Sequence, residues 1–448
     1  MALTAKNILI IGLGKTGIAT ARFLAKQRAR IVATDQNTGA EIDDALHEIR
    51  NEDIPVHATA YDHHALDHID MVIPSPGVPP YDPLLVEALR QGIPIHSELE
   101  IASRFLKPPM VAITGTNGKT TTTTLVGQIL KDAGKRVFVG GNIGIPLIQY
   151  CDSHQKEDFV IVEVSSFQLQ WVSTFRARCA VLLNAAPDHL NYHGSLASYR
   201  ETKERIFLNQ DEKDLAILNA DEEHFLNLSK RLPAKTLFFS STRKVERGLS
   251  VQNEGLILSG FGAHDEIYPR EMIKLPGLHN AENVMAAVMA SRMCGCLPEQ
   301  IVGTISNFRG LPHRIEFVGE KRDVAYYDDS KGTNAAAVAR ALETFQRPVV
   351  LLVGGRDKDG NFEILQSLIR KHVKTLILFG EARNTIKEKI GGLVETGTSP
   401  SLEGAVEEAR RRAQAGDVVL LSPGCASFDE FADYRERGEF FQTLVRKL

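Results

Sequence analysis

Short runs of apolar residues alternate along this chain with longer stretches whose apolar positions recur at helical spacing. Asn7–Ile11, Arg30–Thr34 and Asp70–Ile73 read as buried strands, with a helix opening near Thr16 between the first two. A second series begins at Val111 and continues through Phe159–Val164, Ala177–Leu183 and a helical stretch from Tyr199 to Leu208. Past Lys235, the runs Leu249–Val251 and Leu256–Leu258 read as small antiparallel strands appended to that series. A third series holds Val324–Tyr327, Val349–Val353, Thr375–Phe379 and Val418–Ser422. Strands that alternate with helices in this way form parallel sheets covered by helices, so the fold class is α/β. At 448 residues the chain is too long for one core, and about three domains are expected. Their boundaries are placed at 1–97, 98–310 and 311–448.

The strongest chemical signal is Val111-Ala-Ile-Thr-Gly115-Thr-Asn-Gly118-Lys119-Thr120-Thr121. An apolar strand runs here into glycines, a lysine and hydroxyls before a helix. Backbone N–H groups of Gly115, Thr116, Asn117 and Gly118 suit a polyphosphate, Lys119 its outer oxygens, and Thr120 a magnesium ion, with Thr121 beside it on the nucleotide. The strict loop, Gly-x-x-x-x-Gly-Lys-Ser/Thr, is longer. Here only Thr116 and Asn117 separate the glycines.

A second glycine turn, Gly12-Leu-Gly14-Lys-Thr16-Gly17, also follows a strand, and Asp35 ends the next strand at the spacing of a ribose-binding acid. Taken alone, the turn fits a dinucleotide or any other pyrophosphate, including that of a UDP-linked substrate. Ser75-Pro-Gly77 lies at the end of a later strand and can line the same crevice.

Composition narrows the class. The formal net charge is −4, and no basic run appears, which argues against a nucleic-acid or anionic-membrane binder. No long apolar segment marks the N-terminus as a signal peptide or anchor, so the expectation is a cytoplasmic protein. Cys151, Cys179, Cys294, Cys296 and Cys425 are scattered, and a reduced, structural role is expected of them.

In the middle block, Glu163 ends a strand beside the phosphate loop and is placed to serve magnesium. His189 and His193 stand at i and i+4 without a His-Glu-x-x-His pattern; His189 is expected in the crevice and His193 at the surface. By composition Lys203 is an ordinary exposed helical lysine. Asn142 and Asn280 sit beside glycines, where an amide can hold a ligand or merely satisfy a turn.

Together, Thr114-Gly-Thr-Asn-Gly-Lys-Thr120, Gly140-Gly-Asn-Ile-Gly144, Glu163-Val-Ser-Ser-Phe-Gln168, Asp188-His189, Gly277-Leu-His-Asn280, Leu311-Pro-His-Arg314, Asp329-Ser-Lys-Gly-Thr-Asn334 and Ser422-Pro-Gly-Cys-Ala-Ser-Phe428 resemble the Mur ligases of peptidoglycan synthesis. The order matches along the whole chain, and the resemblance is greatest to the member that adds D-glutamate. It implies a Rossmann-like N-terminal domain for a UDP-linked substrate, a P-loop ATPase-like central domain and a Rossmann-like C-terminal domain for the amino acid. It also implies a cytoplasmic, monomeric enzyme that uses ATP and Mg²⁺ to join D-glutamate to UDP-N-acetylmuramoyl-L-alanine through an acyl phosphate. Lys119, His189 and Lys203 would be catalytic, with Lys203 carbamylated, and Thr120, Glu163, His189 and Lys203 would serve the metal. Asn280, Arg314 and Asp329 would join the loop residues on ATP. Gly14, Thr16, Gln36, Gly77, Asn142 and His189 would contact the UDP-linked substrate, and Thr333, Lys358, Ser427 and Phe428 would contact D-glutamate. The resemblance further implies a hinge near Phe308 to Leu311. One departure is that Asp35-Gln36-Asn37 stands where the family pattern has a threonine–arginine pair.

Overall fold

The computed structural model describes residues 3–36, 47, 49, 54–252, 255–275, 277–357 and 361–448. The chain divides into two compact units: Met1–Ile273 with His279–Asn307, and Lys274–Leu278 with Phe308–Leu448.

The first unit holds two sheets. In one, β1 (Asn7–Ile11), β2 (Arg30–Thr34), β3 (Val56–Ala58) and β4 (Met71–Pro74) lie parallel in the order β3-β2-β1-β4. Side chains on a strand alternate between faces. Thus Ile8 and Ile10 pack with Phe23 and Leu24 of helix Lys15–Lys26, while Leu9 and Ile11 pack with Leu84, Leu85 and Ala88 of helix Pro83–Arg90.

The other sheet of this unit contains β5 (Met110–Thr114), β6 (Val137–Gly141), β7 (Phe159–Glu163), β8 (Cys179–Leu182), β9 (Leu215–Asn219), β10 (Lys235–Ser240), β11 (Gly248–Gln252), β12 (Gly255–Ser259) and β13 (Glu266–Pro269). Its order is β13-β12-β11-β10-β9-β8-β5-β7-β6. β11 and β12 are antiparallel, as their short apolar runs suggest, but β11 pairs parallel with β10. The expected appendage is therefore an extension of the central sheet. One buried cluster runs from Ile8 and Ile10 through Leu99, Ile101 and Ala102 to Val160 and Val162, so a single core ties the two sheets together.

In the second unit, β14 (Glu316–Lys321), β15 (Val324–Asp328), β16 (Val349–Gly354), β17 (Val373–Phe379), β18 (Glu395–Ser399) and β19 (Val418–Gly424) follow the order β14-β15-β19-β16-β17-β18. Only the edge strand β14 is antiparallel to its neighbour. All five cysteines are free and buried. Among the described residues, no helix is long and apolar enough to cross a membrane.

Candidate active site

The phosphate loop leaves β5 between β7 and β8, which are its neighbours in the sheet. Every residue of β5 is buried, so its polar exit is the first place where the backbone can meet a ligand. Asn184, just past β8, clamps the loop. Its Oδ1 accepts the Asn117 N–H at 2.8 Å, its Nδ2 donates to the Asn117 carbonyl at 3.2 Å, and its own carbonyl accepts the Thr116 N–H at 3.0 Å. Thr116 Oγ1 lies 3.1 Å from both the Ala186 carbonyl and the Tyr199 hydroxyl.

Gly118 caps helix Lys119–Asp132 in the left-handed region, with φ at 85°. A Cβ there would stand 2.0 Å from Asn283 Oδ1. Glycine is therefore required both for conformation and for space. Asn283 also bonds Asn280 Oδ1 at 3.3 Å and Thr122 at 3.4 Å, which brings helix Leu278–Met293 against the loop. Asn283 and Tyr199 were not singled out from sequence. For Asn283 the signal was its i, i+3 spacing from Asn280 on one helix face.

Lys203 overturns the surface reading that composition gave it. Helix Leu196–Glu204 is mostly polar, yet it buries Tyr199, Thr202 and Lys203. The Lys203 ammonium donates to the Gly115 carbonyl at 2.9 Å and lies 4.6 Å from the centroid of the Tyr199 ring. Lys119 donates to the same carbonyl at 2.9 Å and to that of Thr116 at 3.0 Å. Burial, reinforced by the neighbouring Lys119 charge, pushes the Lys203 amine well below the ordinary lysine range.

Glu163, also buried, stands at the end of β7 opposite Gly141 of β6. Its Oε1 accepts from Asn142 Nδ2 at 2.8 Å, and its carbonyl accepts the Asn142 N–H at 2.9 Å. Glu163 Oε2 and Thr121 Oγ1 are buried without hydrogen-bond partners. Buried oxygens in that state are costly unless a ligand claims them. Thr120 occupies the first turn of the helix, half-buried.

His189 is held in the left-handed region, with φ at 51°, and its N–H donates to Asp188 Oδ1 at 2.9 Å. Its ring packs 4.8 Å from that of Phe167. Burial lowers its pKa, with Lys119 and Lys203 acting in the same direction and Asp188 opposing them. His193, expected at the surface, is instead buried. Its Nε2 lies 3.0 Å from Ser166 Oγ, its ring stacks on Phe167, and burial pushes its pKa down to about 4.

At the first glycine turn, Gly17 packs so closely that a Cβ would meet the Gly12 carbonyl at 2.1 Å, and Ser75 Oγ donates to that carbonyl at 2.8 Å. Asp35 Oδ2 accepts the Leu13 N–H at 2.9 Å, so this carboxylate braces the turn. Thr16 is half-buried in the first turn of its helix, while Gly14 and Gly77 face open space. Gln36 Nε2 donates to Tyr61 at 3.0 Å and to Asp82 at 2.8 Å.

The second unit gathers its own set. Arg314 lies between two residues in the left-handed region, His313 (φ 61°) and Ile315 (φ 47°). His313 Nδ1 sits 2.7 Å from Asp328 Oδ2. Asp329 is buried and accepts from Ser422 Oγ at 2.7 Å. Burial raises its pKa to about 7, with the Ser422 bond and the Arg314 charge opposing the rise. The Gly424 N–H donates to the Gly332 carbonyl at 2.8 Å, which joins the end of β19 to the Gly332-Thr333 turn. Thr333 is exposed, Ser427 is buried and Phe428 is exposed. Lys358 lies outside the described residues, as does Asn37.

Three family models match the chain: a Mur ligase MurD-like N-terminal domain over residues 6–97, a Mur ligase middle domain over 113–291, and a Mur ligase glutamate ligase domain over 313–425. Among similar proteins, a UDP-N-acetylmuramoylalanine–D-glutamate ligase of Syntrophus aciditrophicus is 54% identical over 447 residues, covering 100% of this chain and 99% of that protein. One of the same name from Geobacter metallireducens is 41% identical over 448 residues, covering 100% of this chain and 99% of that protein. Among solved structures, the MurF ligase of Thermotoga maritima in complex with ADP aligns with a TM-score of 0.60 at 19% identity, covering 100% of this chain and 99% of that one. UDP-N-acetylmuramate–alanine ligase MurC, also from Thermotoga maritima, aligns with a TM-score of 0.57 at 20% identity, covering 98% and 99% respectively.

Proposed function

The chain belongs to the Mur ligase family, and from that premise we propose that it joins D-glutamate to UDP-N-acetylmuramoyl-L-alanine in the cytoplasmic assembly of peptidoglycan precursors. ATP drives the reaction. The alanyl carboxylate attacks the γ-phosphorus, its oxygen bonds to phosphorus as ADP leaves, and the D-glutamate amine then displaces phosphate from the acyl carbon. A carboxylate needs this activation because its oxygen is otherwise a poor leaving group.

The observation that carries the reading is the cluster around the Gly115 carbonyl, where Lys119, Lys203 and the phosphate-loop amides meet beside Glu163 and Asn142. With the Thr116 and Asn117 N–H groups engaged by Asn184, Lys119 and the N–H groups at the start of helix Lys119–Asp132 would hold the phosphates and stabilise charge as it shifts to the bridging oxygen. The residues fit magnesium: Glu163 Oε2 and Thr121 Oγ1 are buried and unpartnered, and the Glu163 carboxylate is near enough to act on the charge of Lys203, a lysine disfavoured as a cation. Thr120, Glu163, His189 and Lys203, once carbamylated, would hold it. Bound there, the metal would screen the repulsion between carboxylate and triphosphate. Asn280, Arg314 and Asp329 would contact ATP. Gly14, Thr16, Gln36, Gly77, Asn142 and His189 would contact the UDP-linked substrate, and Thr333, Lys358, Ser427 and Phe428 would receive D-glutamate.

Phosphate release tests this directly. It should require ATP, UDP-N-acetylmuramoyl-L-alanine and D-glutamate together, and L-lysine or meso-diaminopimelate should not replace D-glutamate. Release that ignored the identity of the amino acid would contradict the assignment.

A further inference from the structure

Among the described residues, the end of β2 brings no cation to the crevice at the first glycine turn. Asp35 brings a carboxylate, which accepts the Leu13 N–H. Gln36, a neutral side chain, commits its amide nitrogen to Tyr61 and Asp82. The Ser75 hydroxyl is given to the Gly12 carbonyl. None of these groups offers positive charge to a pyrophosphate.

Lys15 does. It is the first residue of helix Lys15–Lys26, whose first turn carries no acidic residue and whose Gly14 cap provides no side-chain bond, so the turn's N–H groups suit an anion. The Lys15 side chain is exposed and crosses from this turn to the Gly140–Gly144 turn, where its ammonium donates to the Gly144 carbonyl at 2.5 Å. That second turn carries Asn142, bonded to Glu163. The ammonium thus stands between the pyrophosphate end of the crevice and its reacting end.

We propose that Lys15 is the cation that holds the pyrophosphate of the UDP-linked substrate, exchanging the neutral Gly144 carbonyl for phosphate oxygens when substrate binds. The inference rests on the function proposed above. A charge-assisted bond to phosphate is stronger than one to a neutral carbonyl, so the exchange runs toward the ligand.

The test compares Lys15→Met and Lys15→Arg in the full-length chain. Lys15→Met should raise the KM for UDP-N-acetylmuramoyl-L-alanine and the inhibition constant for UDP by the same factor, about tenfold or more. The KM for ATP should stay unchanged, and Lys15→Arg should restore most of the loss. An unchanged UDP inhibition constant in Lys15→Met, or equal worsening of every constant, would overturn the role of the lysine. Failure of the wild-type chain to use the UDP-linked substrate would instead contradict the proposed function.

Discussion

Lys119 and Lys203 direct their ammonium nitrogens at one atom, the carbonyl oxygen of Gly115, each at 2.9 Å. Two cations on a single neutral acceptor repel one another in a buried site, and Lys203 is the more deeply buried of the two. The relief available is loss of the Lys203 proton, which leaves a neutral amine free to add carbon dioxide. On the function proposed above, the carbamate formed there, with release of a proton, would be an anion facing Lys119 and the site proposed for magnesium.

Lys203→Ala should therefore lower ligase turnover by about a hundredfold or more, as losing a buried electrostatic partner does. Short carboxylates such as acetate or propionate should recover part of the rate in Lys203→Ala and none in Lys203→Arg, where the guanidinium fills the space. Steady-state phosphate release with and without added carboxylate checks this.

Tyr199 shapes the loop through its bond to Thr116 and lies against the Lys203 ammonium. Tyr199→Phe keeps the ring and deletes the bond, which contributes about 1 kcal/mol. The KM for ATP should rise roughly fivefold, the factor equivalent to that energy, with a much smaller change in the KM for D-glutamate. Initial-rate kinetics with each substrate varied in turn separate the two.

Gly118→Ala should abolish tight nucleotide binding. The new methyl group meets Asn283 Oδ1, and a left-handed non-glycine residue adds about 1–2 kcal/mol of strain. In the double variant Gly118→Ala/Asn283→Ala the steric part is removed and the strain persists, so ADP affinity should recover only partly. Calorimetric titration of ADP against both variants reads the difference.

The His313–Asp328 pair makes the second unit sensitive to pH. The hydrogen bond to Asp328 raises the His313 pKa above its ordinary value, with burial opposing. Because the folded state holds this proton more tightly, the pair's stabilisation is complete below about pH 6.5. It is lost as pH climbs through the raised value. Denaturant unfolding of the intact protein, followed from pH 6 upward, should show this loss, and His313→Gln should remove that step.

Much of the fold was legible because buried parallel strands are continuous apolar runs. β1 and β2 fall where Asn7–Ile11 and Arg30–Thr34 predict them. The phosphate loop was legible because its backbone chemistry is local to Gly115–Lys119. Strand β14, half-exposed at a sheet edge and carrying Glu316, Glu320 and Lys321, gave no such run. Lys203 and His193 were misread from composition for a different reason. A polar residue is buried by partners distant in sequence, here Gly115 and Ser166, and no local pattern records them. The bracing of Leu13 by Asp35 and the Asn283–Gly118 contact are likewise tertiary.

The acyl phosphate itself can be followed with isotope. UDP-N-acetylmuramoyl-L-alanine carrying ¹⁸O in its alanyl carboxylate should pass one labelled oxygen per turnover to inorganic phosphate and keep the other in the new amide. Label in AMP, or none in phosphate while ligated product accumulates, would contradict carboxylate activation by the γ-phosphate at the Gly115–Lys119 loop.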